Sequence, residues 1–126
     1  MEMTTHAIAW FDLPVTDFDR AKAFYSAIFD FDMPEMMMGP NRMGFFLHKQ
    51  GEGVGGAIVK GSNPVPSRDG ARVYLSAGED LSVVLDRVAA AGGQVVFGKT
   101  EIAPGMGFFA YFLDTEGNQV GLHSMS

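Results

Sequence analysis

Apolar residues recur along the chain at two spacings. Ala21, Phe24, Tyr25 and Ile28 fall at i, i+3, i+4 and i+7, which places a stripe on one face of a helix, and Asp17 stands where an N-cap is needed. Leu81, Val84, Leu85 and Val88 repeat that spacing after Asp80, and Gly92-Gly93 supplies a helix stop. Before each predicted helix the pattern changes to period two. Ala9, Phe11 and Leu13 oppose Ile8, Trp10 and Asp12; further on, Val73, Leu75 and Ala77 oppose Arg72, Tyr74 and Ser76. Both segments read as half-buried strands. After each helix come short strand-like runs, broken at Gly39-Pro40-Asn41, at Gly51 to Gly53, and at the polar turn Asp114 to Asn118. Residues 61–70, with two prolines and several polar side chains, read as a linker.

The two halves share more than an outline. Met43-Gly44-Phe45-Phe46 returns as Met106-Gly107-Phe108-Phe109, an offset of 63, and Asp17 and Asp80 share it. Val54-Gly55 returns as Val120-Gly121 at an offset of 66. The reading is a tandem repeat, residues 5–60 and 71–125, each copy β-α-β-β-β, within a single domain of residues 1–126. The fold class is α+β. One such unit leaves a sheet face uncovered, so pairing two of them predicts a curved, partly open mixed sheet around a shared cavity.

Composition narrows the chemistry. Among 126 residues there is no cysteine, which removes disulfides, thiolate metal sites and a cysteine nucleophile. The formal charge is −6 and the nine basic residues are scattered, which argues against nucleic acid as a partner. No apolar run is long enough to span a bilayer and the N-terminus has no signal-peptide pattern, so the expectation is a cytoplasmic protein without membrane contact. Nine Met and eleven Phe suit an adaptable apolar pocket. The glycine-rich GEGVGG lacks the lysine and helix of a phosphate loop and reads as a hairpin, and no serine sits in a G-x-S-x-G setting.

The segments FDLPVTDFDRAKAFYSAIF, VGGAI, VYLSAGEDLSVVLDRVAAAGGQVV and FFAYFLDTEGNQVGLHS resemble the vicinal oxygen chelate superfamily of glyoxalases, bleomycin-resistance proteins and extradiol dioxygenases, in particular its small glyoxalase-like members. The resemblance runs from His6 to His123. It implies the paired β-α-β-β-β fold, a homodimer, and a cavity that in the enzymes holds a divalent metal acting as a Lewis acid. Carried over position by position, the four metal-ligand positions fall on Trp10, Gly55, Val73 or Tyr74, and Gly121. The 63-residue offset gives Val73; the apolar alternation gives Tyr74, with one extra residue at Gly78-Glu79. None of these sets supplies the usual nitrogen and carboxylate donors, so no metal cofactor is expected.

Two functions from different classes follow. The first is a metal-independent binder of a small organic ligand. Its pocket residues would be Trp10, Asp12, Tyr74, Gly55, Gly121, His123, His48 and Tyr111, with Arg72 able to supply an orienting hydrogen bond. The second is a glyoxalase-like lyase or isomerase with an atypical site, in which Asp12 and His123, with His6, would serve as catalytic or metal-binding groups. A third, structural role would have the cavity filled by its own side chains.

Overall fold

The computed structural model describes residues 1–49, 51–61 and 65–126; part of the predicted linker, residues 62–64, lies outside the described residues. The chain runs β1 (Phe11–Pro14), α1 (Phe18–Phe29), β2 (Glu35–Met38), β3 (Asn41–Phe45), β4 (Gly56–Lys60), then β5 (Tyr74–Ser76), α2 (Ser82–Leu85), β6 (Gln94–Ala103), β7 (Gly107–Leu113) and β8 (Gln119–Ser124). Each half has its own four-stranded sheet, ordered β1-β4-β3-β2 and β5-β8-β7-β6. In both, the first strand pairs in parallel with the last and the remaining pairs are antiparallel. The helix after the first strand is the crossover that this parallel pairing requires.

Helix α1 forms where the periodicity places it. The Asp17 side chain accepts the Arg20 N–H at 3.1 Å, capping its start. At the other end Asp30 takes the left-handed conformation (φ 52°) and the Phe31 N–H closes on the Ser26 carbonyl. The second helical segment departs from expectation. Only Ser82–Leu85 is regular α-helix, and its N-cap is Leu81, not Asp80. Its hydrogen bonds mix i−3 and i−4 partners as far as Ala91. Asp80 instead accepts the Ser82 N–H and pairs with Lys99 at 2.8 Å. Packing holds the segment in place, because Leu81, Val84, Leu85 and Val88 are all buried. The glycine stop is as predicted: Gly92 has φ +105°, and the Gly92 and Gly93 N–H groups close on the Ala89 and Val88 carbonyls in a Schellman turn.

One core joins the two halves. On the first sheet Gly44 has no side chain because a Cβ would lie 2.6 Å from Met33 Sδ and 3.1 Å from the Phe18 ring. On the other flank of α1, Phe24 and Tyr25 meet Phe112 of β7, with ring centroids 5.8 and 6.4 Å apart. Helix α1 therefore lies between the two sheets. Leu13, Ile58, Leu75, Ala110, Phe112, Val120 and Leu122 all turn toward this core. Each large aromatic so buried contributes about 1.5–3 kcal/mol.

That arrangement leaves the sheets partly open, as expected. With the helix-side faces packed together, the opposite face of each sheet points away from the core. Trp10 is 44% exposed, Tyr74 48% and Phe97 48%.

The ladders correct the offset. When Gly55 is set on Gly121, the pair Gly44↔Ile58 coincides with Phe108↔Ser124, and Phe45↔Ala57 with Phe109↔His123. Third strands are then related by 64 residues, as are the N-caps Asp17 and Leu81. The shared Met-Gly-Phe-Phe is out of phase by one, so Gly44 and Phe108 face the core while Phe45 and Phe109 face outward. A single-residue slip inverts every side chain in a strand, and the buried face decides the register whatever the tetrapeptide. By the same count Trp10 corresponds to Tyr74, not Val73, and no extra residue at Gly78-Glu79 is needed.

Candidate functional site

The sequence-predicted residues gather into two patches, one on the outer face of each sheet. In the first, the Trp10 indole N–H donates to Asp12 Oδ1 at 2.9 Å, and Phe45 meets the indole edge-on with centroids 6.1 Å apart. Gly55 lies beneath, where a Cβ would stand 3.1 Å from both Trp10 Cζ3 and His48 Nδ1. Trp10, Pro34, Phe45, His48 and Gly55 line a hollow of about 490 Å³. Asp12, placed in the ligand cavity by the sequence reading, is an exposed residue that fixes the indole.

In the second patch, the Tyr74 ring lies across Gly121, where a Cβ would be only 2.4 Å from it. The Tyr74 and Tyr111 hydroxyls are 2.8 Å apart, and that bond, with burial, raises the Tyr111 phenol above its ordinary range. Arg72 stacks its guanidinium 4.0 Å over the Tyr111 ring. Phe109 and Phe97 extend the aromatic surface, stacked at 5.7 Å. Sequence reading missed Phe97, since β6 carries three register irregularities against β7 and no simple alternation predicts its facing.

The histidines stand apart. His123 Nε2 lies 3.0 Å from the Met106 carbonyl, at the β7 turn. His6 lines a separate cleft of about 760 Å³ at the seam between the halves. Its walls include Ile8, Phe11 and Phe46 from one half and Arg72, Tyr74 and Ser76 from the other. Asp12 and His123 thus have different partners, and among the described residues no three His, Asp or Glu side chains stand close enough to share a metal ion.

Trp10 with Gly55 and Tyr74 with Gly121 are matched pairs, an aromatic ring over a glycine in each sheet. At the positions that the resemblance sets against the relatives' four metal ligands, this chain has an indole, a phenol and two residues without side chains. That set does not fit a chelated divalent metal, which needs imidazole nitrogens and carboxylate oxygens converging with open positions left for substrate.

A profile of the glyoxalase/bleomycin resistance protein/dioxygenase superfamily matches residues 7–122. Among solved structures, a glyoxalase/bleomycin resistance protein from a Streptomyces species is similar at 25% identity, with 92% of this chain and 98% of that chain covered and a TM-score of 0.68. TnmS3, an antibiotic binding protein from the same Streptomyces strain, is 23% identical over 99% of this chain and 100% of its own, with a TM-score of 0.65. A glyoxalase I mutant from Zea mays is 16% identical, with 92% of this chain covering 46% of that one, at a TM-score of 0.69. No protein of curated function matches the chain by sequence. No helix among the described residues is long and apolar enough to cross a membrane. The profile spans nearly the whole chain and the solved relatives repeat its two-sheet architecture: this protein belongs to the glyoxalase/bleomycin resistance protein/dioxygenase superfamily.

Proposed function

We propose that the protein binds a small organic ligand with aromatic character, without a chelated metal and without catalysing its conversion. The observation that carries this reading is the pairing of an aromatic ring with a glycine in each sheet, Trp10 with Gly55 and Tyr74 with Gly121. Rings held flat over a glycine floor give broad, rigid stacking surfaces, which supply affinity by shape and dispersion. The similarity to an antibiotic binding protein agrees with a ligand of antibiotic type. The enzyme alternative would use His6, Asp12 or His123; Asp12 is bonded to the Trp10 indole and His123 to the Met106 carbonyl, which favours the binder.

The uncovered outer faces support a homodimer. Met36, Met37 and Met38 on the edge strand β2 are each more than half exposed, and Trp10, Tyr74 and Phe97 are exposed as well. Apolar surface of that extent marks an interaction site, and a second copy of the chain in the cytoplasm is the partner proposed. Sedimentation at micromolar concentration should give twice the chain mass.

Trp10 is the only tryptophan, so its emission reports on the first patch directly. Titration with polycyclic aromatic and peptide-like antibiotics should change it saturably for at least one compound, with micromolar or tighter affinity and no effect of a chelator. A divalent metal retained at one per chain, with binding lost on its removal, would overturn the metal-free reading. A silent indole across the whole panel would remove the binder reading.

A further inference from the structure

We propose that the cleft between the two halves takes a planar aromatic anion, a carboxylate or sulfonate, and that Arg72 receives its charge. The proposal rests on the binder reading and adds to it the chemical class of the ligand and the residue that selects it.

Arg72 is the one formally charged side chain among the described residues that line the cleft. Its surroundings suit an anion. The guanidinium lies face-on over Tyr111, whose hydroxyl is tied to that of Tyr74. Stacking occupies the π-face of the guanidinium, and the neutral Tyr74 and Tyr111 hydroxyls hold it without cancelling its charge, so its remaining in-plane N–H groups can grip an anionic group. Among the described residues Arg72 has no carboxylate within 4.0 Å; Lys60, Arg68 and Arg87 share that property, but none of them lines the cleft. It is a positioned cation whose side-chain neighbours are the Tyr74 and Tyr111 hydroxyls and not a carboxylate.

The walls supply the rest of the ligand's chemistry. Ile8, Phe11 and Phe46 present aliphatic and aromatic surface opposite Tyr74, across a volume that accommodates a fused-ring molecule. The net charge of −6 disfavours anions elsewhere on the chain, but at physiological ionic strength that field fades over about 8 Å. Selection for an anion is therefore local and falls to the residue at the cleft.

Two dyes sharing one aromatic framework test this. 1-Anilinonaphthalene-8-sulfonate is anionic; N-phenyl-1-naphthylamine lacks the sulfonate and is neutral. The native protein should bind the sulfonate about tenfold more tightly at low salt, the preference shrinking at high salt as expected of a charge-assisted contact. Arg72→Gln should remove most of that preference while the neutral dye stays within about twofold, and Arg72→Lys, which keeps the charge but not the planar fork, should fall between. Arg72 is exposed, so both variants should fold. Equal affinity for the two dyes in the native protein, or equal loss of both in Arg72→Gln, would overturn the role of Arg72 and leave the binder reading standing. Failure of both dyes to bind, with Trp10 also unresponsive to the antibiotic panel, would overturn the two together.

Discussion

Asp114→Ala should destabilise the protein by about 4 kcal/mol, because it orphans several hydrogen-bond donors at once, each worth roughly 1–3 kcal/mol when buried. Asp114 is only 6% exposed, in the turn between β7 and β8. Its Oδ1 accepts the N–H groups of Glu116 and Asn118 at 2.8 and 2.9 Å, which shapes the turn. Oδ2 accepts the Tyr25 hydroxyl at 2.8 Å and the Asn118 amide at 3.0 Å. Tyr25 belongs to α1 and is fully buried, so this one carboxylate closes a turn of the second half onto the helix of the first. Burial, then the Asp114 charge, push the Tyr25 phenol well above its ordinary range, so it stays a donor at any working pH. Asp114→Asn keeps the Oδ1 bonds but sets an amide against the Asn118 amide, two donors facing each other; about half the loss is expected. Urea unfolding measures both, as a lower midpoint with unchanged slope. Against a total of roughly 5–15 kcal/mol, the alanine variant would be conspicuous, and a loss below about 1 kcal/mol would refute the clasp.

Glu116→Gln should cost about 2–3 kcal/mol at neutral pH, and the cost should vanish in acid. The Glu116 side chain is fully covered. Oε1 accepts from the Thr16 and Asp17 N–H groups at 3.0 and 2.7 Å, Oε2 from Arg20 Nε at 2.8 Å and the Thr115 hydroxyl at 2.9 Å. A negative charge there also complements the positive N-terminal end of α1. Burial alone would raise this carboxyl; the bonds from Arg20, Asp17, Thr115 and Thr16 outweigh it and hold the group at about 2, against 4.5 ordinarily. Since the folded value is depressed, the stabilisation is complete above about pH 4.5 and is lost as pH falls through about 2. Glu35 and Asp80, also held at about 2, by Arg42 and by Lys99 first of all, have the same sign but act equally in both proteins. The difference between native protein and variant therefore isolates Glu116. A gap that does not narrow between pH 5 and pH 2 would sink this account.

Neither role was legible in the chain. Asp114 to Asn118 announces a polar turn and its D-x-EGN pattern marks the family, but nothing local says that the turn grips a helix about a hundred residues away. Asp17 was legible as a cap because its partner lies three residues on. Asp80 has the same appearance and its carboxylate does accept the Ser82 N–H, but the first turn is tightened and the regular helix starts only after Leu81. Trp10, Gly55, Tyr74 and Gly121 were found as candidate site positions, whereas Phe97 and the stacking of Arg72 on Tyr111 were not.

Periodicity was sufficient for the element order, the helix face and the turns, because those depend on neighbours within a few residues. It also picked out Trp10, Gly55, Tyr74 and Gly121, which the structure pairs as a ring over a glycine in each sheet. Three further features required the folded chain: the 64-residue register, the placing of α1 between two sheets, and the outward turning of both aromatic patches. Each depends on which buried faces meet across long sequence separations. Alternation states that a strand has two faces; only packing against a partner chooses the one that is covered.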